Sequence, residues 1–201
     1  MLTNDDGVHS PGLMALKAAL DPVGDVRIVA PDQNRSGAAR SITMHSPLWV
    51  EEVELPDGSL AFSTDGTPVD CVRMAALGLL ERAPDLIVSG INLGENLGDD
   101  ITYSGTVAAA LEGIMLEIPA IALPAHGYHP DYDLDVPARF ARHLVEKIVR
   151  EGFPEKTLLN VNCPDRPWAQ MRGARMTVLG KRIYGDKVQY HAGQGSRRSY
   201  R

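Results

Sequence analysis

Short runs of β-branched and aliphatic residues alternate along the chain with longer segments whose apolar positions recur at helical spacing. This alternation is typical of a parallel sheet connected by crossover helices. The predicted strands are Met1–Thr3, Val26–Ala30, Leu86–Ser89, Ala120–Leu123 and Leu158–Val161. The predicted helices are Pro11–Leu20, Pro68–Leu80, Thr106–Leu116 and Val136–Glu151. The pattern therefore predicts an α/β fold with a mostly parallel sheet.

The stretch between the second strand and the second helix has a different pattern. Trp49–Leu55 and Leu60–Thr64 are strand-like, and Pro56–Ser59 between them has the residues of a tight turn. We expect an antiparallel hairpin inserted into the α/β scaffold. Ile42–Met44 is also strand-like.

The helix and strand pattern weakens after Asn162, although Met176–Leu179 could form one more strand. We expect a single domain over residues 1–201, with a core to about residue 162 and a C-terminal arm over about residues 163–201.

Composition and charge narrow the classes of protein. A chain of 201 residues with 44% hydrophobic residues can bury one sizeable core. The net charge of -6 and the absence of a basic, aromatic-rich stretch argue against binding of a nucleic-acid polymer. Two distant cysteines, Cys71 and Cys163, suggest neither a disulfide framework nor a zinc site. With no signal-peptide pattern and no apolar run of membrane-spanning length, we expect a soluble cytoplasmic protein.

Oxygen-bearing side chains follow three predicted strands at the edge where ligands bind to open parallel sheets. Asp5 and Asp6 follow the first strand, Ser36 follows the second, and Asn92 lies in the glycine-rich loop Gly90–Gly105 after the third. Two adjacent carboxylates repel each other, and a bound cation relieves this repulsion. A ligand set made only of oxygen atoms suits Mg²⁺ or Mn²⁺ rather than zinc.

Each of these residues also has a simpler interpretation. The aspartates could form a turn and an N-cap, Ser36 could be a loop hydroxyl, and Asn92 could hold its own loop. Tyr103–Thr106 opens an alanine-rich helix, which could offer backbone N–H groups to a phosphate or be an ordinary N-cap. His9 follows the acidic pair, but a single loop histidine is more often a surface group.

Two nucleotide-binding motifs are missing from the sequence. The glycines at 90, 94 and 98 do not have dinucleotide-fingerprint spacing, and no G-x-x-x-x-G-K-[ST] motif occurs. Neither a nicotinamide enzyme nor a P-loop NTPase is favoured.

Four segments together resemble the family of the stationary-phase survival protein SurE. They are TNDDGVHSPG, APDQNRSGAARSIT, GTPVDCV and SGINLGENLGDDITYSGTVAAALEG. The resemblance covers Thr3 to about Asn162. Members of this family are metal-dependent nucleoside monophosphate phosphatases.

The resemblance implies a role for eight residues. The divalent metal of the family would be held by Asp5, Asp6, Ser36 and Asn92, of which the two aspartates are also the catalytic candidates. The phosphate side would consist of Asn96, Ser104, Gly105 and Thr106.

The resemblance also implies a fold, an activity and an assembly. The fold is a Rossmann-like three-layer α/β/α sandwich with a hairpin extension and a C-terminal arm, and the assembly is a homodimer or homotetramer. The activity is hydrolysis of 5′- and 3′-nucleotides with Mg²⁺ or Mn²⁺, and some members also trim short polyphosphate. The family usually has more residues before T-N-D-D-G and after the position of Tyr190, so part of the arm is expected to be missing here.

Three other hypotheses stay open at this point. A phosphatase with an aspartyl nucleophile needs an Asp-x-Asp motif, but Asn4 stands two residues before Asp6, and Gly7 stands two residues after Asp5. A nucleotide-binding sensor on the same fold would bind without turnover. A structural oligomer with a stabilising cation would show metal-dependent melting without phosphate release.

Overall fold

The computed structural model describes residues 1–127, 132–181, 183, 190–191 and 199–200. Helices α1 to α4 are Pro11–Leu20, Pro68–Met74, Gly105–Met115 and Asp135–Glu151. Strands β1 to β9 are Leu2–Thr3, Val29–Pro31, Val50–Glu54, Leu60–Thr64, Ile87–Leu93, Ala120–Ala125, Leu158–Asn160, Tyr190–His191 and Ser199–Tyr200. A π-helical turn at Ala75–Leu79 follows α2, and 3-10 helices lie at Gly98–Thr102 and Trp168–Gln170.

Strands β1, β5, β6 and β7 form a parallel sheet in the order β1-β5-β6-β7. A parallel bridge between Leu2 and Ile28 joins it to a second sheet of order β2-β4-β3. In that second sheet β4 runs parallel to β2, and β3 pairs antiparallel with β4. The predicted hairpin therefore exists and extends the edge of the parallel sheet.

Helices cover both faces of the sheet. Helix α1 packs against α4, and α2 packs against α3, while both α1 and α3 contact β5. The sheet between them is apolar on both faces, which is why β5 and β6 consist mostly of buried residues. This arrangement confirms the predicted α/β class with helices on both sides of a mostly parallel sheet.

Local capping explains where the helices begin. Ser10 caps α1 by accepting a hydrogen bond from the N–H of Leu13 at 3.3 Å, and Pro11 occupies the first turn. Thr67 and Asp70 form a capping box at the start of α2. Both starts agree with the sequence-based prediction.

Three predicted elements differ in the structure. Ile42–Met44 is not a strand, because Thr43 donates its backbone N–H and its hydroxyl to Asp70 instead of to a neighbouring strand. Helix α2 ends at Met74, and the turn that follows breaks at Gly78, where φ is 147°. Strand β5 runs on to Leu93, so the glycine-rich loop is shorter than predicted.

The predicted C-terminal arm is only partly described. Met176–Leu179 is not a strand, since no described strand pairs with it and Met176 and Val178 are 84% and 93% exposed. Strands β8 and β9 pair antiparallel further on. The remaining arm residues, 182, 184–189, 192–198 and 201, lie outside the described residues.

In the described part of the chain, none of the helices is long and apolar enough to cross a membrane.

Candidate active site

The turn after β1 presents two adjacent carboxylates, Asp5 and Asp6. Asn4 is fully buried and holds this turn, since its Oδ1 accepts the N–H of Gly7 at 3.1 Å and its Nδ2 donates to the Gly7 carbonyl at 3.2 Å. The Nδ2 of Asn4 also donates to the hydroxyl of Ser10, the residue that caps α1. The aspartates are therefore not the N-cap of this helix, and their carboxylates are available for other contacts.

Asp5 is 3% exposed and lies beneath the start of α3. The hydroxyl of Thr106 donates to Asp5 Oδ1 at 2.6 Å. A Cβ added to Gly105 would lie 2.9 Å from Asp5 Oδ2, so only glycine fits there without a shift. Burial raises the pKa of Asp5, opposed by the hydrogen bond from Thr106 and by the backbone amides of Thr106 and Gly105.

Asp6 lies closer to solvent than Asp5. Its Oδ1 accepts a hydrogen bond from Asn34 Nδ2 at 3.1 Å, and the backbone of Leu93 donates a second one. Burial, followed by the negative charge of Asp5, raises the pKa of Asp6 to about 6. Asp6 lines a cavity of about 380 Å³ together with Gly7, His9, Ser10, Pro11, Gly12, Asp32, Ile91 and Leu93. Of the two carboxylates, it is Asp6 that faces this cavity.

The loop that carries Ser36 is tied to both aspartates. The backbone N–H of Arg35 donates to the carbonyl of Asp5 at 2.7 Å. The side chain of Asn34 bridges Asp6 and Ser36, because its Nδ2 binds the carboxylate while its Oδ1 accepts the Ser36 N–H at 2.8 Å. Ser36 itself is exposed beside the aspartate turn.

Asn92 lies near the end of β5 and is 7% exposed. The pairing of β5 with β6 shifts by one residue between Gly90 and Asn92, so Ile91 is extra, as in a β-bulge. Asn92 Nδ2 donates to the Gly94 carbonyl at 3.0 Å, in agreement with the simpler interpretation of this residue. This bond fixes the amide orientation and leaves Oδ1 for another partner.

The donor set fits a hard divalent cation. No group of three or more His, Cys, Asp or Glu side chains in the described residues could hold a metal. A cation would therefore need the two carboxylates together with neutral oxygens, and the predicted candidates Ser36 and Asn92 each carry one. Burial raises the pKa of both aspartates, and the negative charge of Asp5 raises the pKa of Asp6 further. A cation beside them would favour the charged form of both.

The residues assigned to the phosphate side fall into two groups. Gly105 and Thr106 contact Asp5, as described above. Ser104 caps α3 by accepting the Val107 N–H at 3.1 Å, which is the ordinary role weighed for it. Asn96 precedes α3 in the chain, and its backbone is bound by Asn160 and Asn162 at the end of β7.

Sequence reasoning missed four asparagines that build this edge of the sheet. Asn4 holds the aspartate turn, Asn34 links Asp6 to the Ser36 loop, and Asn160 and Asn162 bind the backbone of Asn96. The signal available in the sequence was their position, since Asn4 and the Asn-Val-Asn run at 160–162 lie at the ends of predicted strands.

Comparison with known proteins gives concordant matches. The family model described as Survival protein SurE matches residues 1–186. The chain is 50% identical over 197 residues to "5'-nucleotidase SurE" of Rubrobacter xylanophilus, covering 94% of this chain and 74% of that protein. It is 49% identical over 189 residues to "5'-nucleotidase SurE" of Herpetosiphon aurantiacus, with the same coverage of each.

A solved structure agrees with these sequence matches. The SurE protein from Aquifex aeolicus superimposes with a TM-score of 0.85 at 42% sequence identity. The match covers 99% of this chain and 79% of that one. The resemblance of the four sequence segments is thereby confirmed. The chain belongs to the Survival protein SurE family.

Proposed function

We propose that this protein is a metal-dependent phosphomonoesterase that hydrolyses nucleoside 5′- and 3′-monophosphates to nucleoside and inorganic phosphate. Short polyphosphate is a further proposed substrate. The observation that carries the proposal is the pair of adjacent carboxylates, of which Asp6 lines a cavity and Asp5 lies against the start of α3. The relatives named 5'-nucleotidase SurE support the choice of substrate.

We assign the metal to Asp5, Asp6, Ser36 and Asn92, with Mg²⁺ or Mn²⁺ as the cation. Bound there, it would act as a Lewis acid on the phosphoryl oxygens and lower the pKa of water. The hydrogen bond from Asn34 holds one oxygen of Asp6, and the bond from Thr106 holds one oxygen of Asp5. These bonds fix the orientation of both carboxylates, and that of Asp6 lines the cavity through which a cation would reach it.

Asp6 is the better candidate for orienting or deprotonating the attacking water. The Asp5 carboxylate is almost fully buried beneath the start of α3, whereas Asp6 lines the cavity where an attacking water would lie.

Asn96 and the start of α3 are the proposed phosphate side. Asn96 is 7% exposed, and its Nδ2 has no hydrogen-bond partner within the described residues. A buried N–H donor of this kind calls for an acceptor, and a phosphoryl oxygen would satisfy it. Ser104, Gly105 and Thr106 would add the positive end of the α3 dipole.

The decisive experiment measures phosphate release from a panel of 5′- and 3′-nucleoside monophosphates and short polyphosphate. The purified protein is stripped of metal with a chelator, and Mn²⁺ or Mg²⁺ is then added back. Asp6→Asn is assayed alongside, with its fold checked by circular dichroism. We expect release that requires metal and falls at least about 10³-fold in the variant.

Two results would contradict the proposal. A folded, metal-binding wild-type protein without turnover would favour a nucleotide sensor. An active, metal-responsive Asp6→Asn variant would remove Asp6 from the ligand set.

The proposal also includes a single domain, a homodimer or homotetramer, and a cytoplasmic location. The sequence supports the single domain and the location, and the family resemblance supports the assembly.

A further inference from the structure

Two asparagines at the end of β7 bind the backbone of a single residue, Asn96. The Oδ1 of Asn162 accepts the N–H of Asn96 at 2.9 Å, and the Nδ2 of Asn162 donates to the carbonyl of Asn96 at 3.2 Å. The Nδ2 of Asn160 donates to the same carbonyl at 2.9 Å. Three hydrogen bonds thus join two segments that are 64 and 66 residues apart in sequence.

This pattern restrains the orientation of Asn96. One amide group contacts the N–H and the carbonyl of the same residue, so the peptide planes on both sides of Asn96 are held together. The residue lies in the connection between β5 and the 3-10 helix Gly98–Thr102, where neither sheet nor α-helix would fix its backbone. The asparagine pair supplies the restraint that regular structure does not supply there.

The side-chain amide of Asn96 keeps an unused donor beside this restrained backbone. Its backbone N–H and carbonyl are both used by the asparagine pair, and its buried Nδ2 has no partner among the described residues. Asn160 and Asn162 bind only the backbone of Asn96 and leave this donor free.

We propose that Asn160 and Asn162 are positioning residues that hold the Asn96 amide where a phosphoryl oxygen of the substrate binds. This rests on the proposed function, in which Asn96 contacts the phosphate. A donor fixed before the substrate arrives loses little conformational freedom on binding, and it binds more tightly than the same donor on a loose loop.

The test measures the binding of inorganic phosphate as well as turnover. Asn162→Ala and Asn160→Ala are compared with Val161→Ala, which lies between them, packs on the core and makes no side-chain hydrogen bond. Phosphate is titrated calorimetrically into the Mn²⁺-loaded proteins, and KM, kcat, Mn²⁺ affinity and Tm are measured on the same samples. We expect Asn162→Ala to weaken phosphate binding and raise KM about tenfold with unchanged Mn²⁺ affinity.

Val161→Ala should lower Tm without changing phosphate affinity, which separates positioning from a merely structural role. If Asn162→Ala does not fold, Asn160→Ala removes one of the three bonds and is expected to weaken phosphate binding severalfold. Equal phosphate affinity in wild type, Asn160→Ala and Asn162→Ala would overturn the inference.

A double-mutant cycle with Asn96→Ala gives a stricter test. If the pair acts through Asn96, adding Asn162→Ala to Asn96→Ala should change phosphate affinity less than about twofold. Independent, multiplying effects would contradict the inference while leaving Asn96 as a phosphate ligand. Unchanged phosphate affinity in Asn96→Ala alone would instead remove the phosphate role proposed for that residue, and the inference with it.

Discussion

Asp5 contacts two other segments of the chain. Its carboxylate accepts the Thr106 hydroxyl at the start of α3, and its backbone carbonyl accepts the N–H of Arg35. The absence of a side chain at residue 105 makes the contact with α3 possible, since a Cβ there would lie 2.8 Å from the Cβ of Asp5. Gly105 is therefore constrained by close approach rather than by backbone conformation.

Gly105→Ala should consequently impair activity although alanine favours helices. We expect kcat/KM to fall at least about 10²-fold, because the added methyl group displaces Asp5 from its place in the site. The measurement is steady-state kinetics with Mn²⁺, together with Tm. Gly24→Ala is the control, because nothing lies within 4 Å of its added Cβ. Wild-type kinetics in Gly105→Ala would show that the close packing on Asp5 does not matter for turnover.

Because the pKa of Asp6 is raised, we expect the stability of the metal-free protein to depend on pH. Its pKa rises from the ordinary aspartate value of 3.8 to about 6 in the fold, so the folded state binds more protons than the unfolded state between these pH values. The free energy of unfolding should therefore fall as pH rises from about 4 to about 6. We expect a loss on the order of 1 kcal/mol, because Asp6 is only partly buried.

Urea denaturation at several pH values in the presence of a chelator measures this dependence. Asp6→Asn serves as the reference, since its side chain does not titrate and should lack this contribution. Adding Mn²⁺ should reverse the trend, because a bound cation favours the charged carboxylates. Identical pH profiles of wild type and Asp6→Asn would contradict the raised pKa.

At the scale of helices and loops, a cluster of ion pairs links the loop that carries Ser36 to helices α2 and α3. Glu112 of α3 pairs with Arg40 at 3.0 Å and with Arg73 of α2 at 2.7 Å. The Glu112 side chain is 7% exposed, and its two arginine partners are more exposed. The loop that begins near Asp32 is thereby held at Asp5 by the backbone of Arg35 and at α3 by Arg40.

Glu112→Gln should lower the free energy of unfolding by about 1–2 kcal/mol, because two charge-assisted hydrogen bonds lose the carboxylate. Urea denaturation at neutral pH measures the change. Glu146→Gln is the matched control, since Glu146 pairs with Arg142 on the surface of α4 and should cost less than about 0.5 kcal/mol. Equal effects of the two substitutions would show that the buried pair adds nothing.

The order of helices and strands was predictable from the sequence, because the apolar periodicity and the capping residues indicate the same elements. Pro11 and Thr67 mark helix starts in both sequence and structure. The extension of β5 to Leu93 is not evident from the sequence because Gly90 resembles a strand end, whereas the bulge at Ile91 lets the strand continue. The Ile42–Met44 prediction is wrong because a long-range partner, Asp70, takes the polar groups of Thr43.

The site was predictable to a more limited extent. Sequence position alone gathered Asp5, Asp6, Ser36 and Asn92 at one sheet edge, and the structure brings these segments together through Asn34 and Leu93. The contact of Thr106 with Asp5 was not foreseen, because nothing local relates residues 101 positions apart. The metal-binding and phosphate-binding roles themselves stay predictions.

At the scale of the whole molecule, the two cysteines lie in the core and can be used to test how closely it is packed. Cys71 is fully buried and Cys163 is 6% exposed, and both are free. Burial raises the pKa of both thiols, that of Cys163 to about 11.

We expect neither thiol to react quickly with Ellman's reagent at about pH 8, near the ordinary thiol pKa, and both thiols of the chain to react once guanidinium unfolds the protein. Cys163→Ala, which leaves one thiol, identifies the order of reaction. Rapid labelling of the native protein would mean that these parts of the core open readily.

Asp5 and Thr106 are 101 residues apart, and Asn96 and Asn162 are 66 apart. A contact between residues so far apart in sequence forms only after a long loop has closed, which costs entropy. Such contacts therefore tend to form late in folding. A chain that has emerged only as far as residue 105 lacks the hydroxyl partner of Asp5, whatever helices it has already formed. Phosphatase activity should then return during refolding at the rate of the slowest folding phase. The enzyme assay would therefore measure how fast the last long-range contacts form.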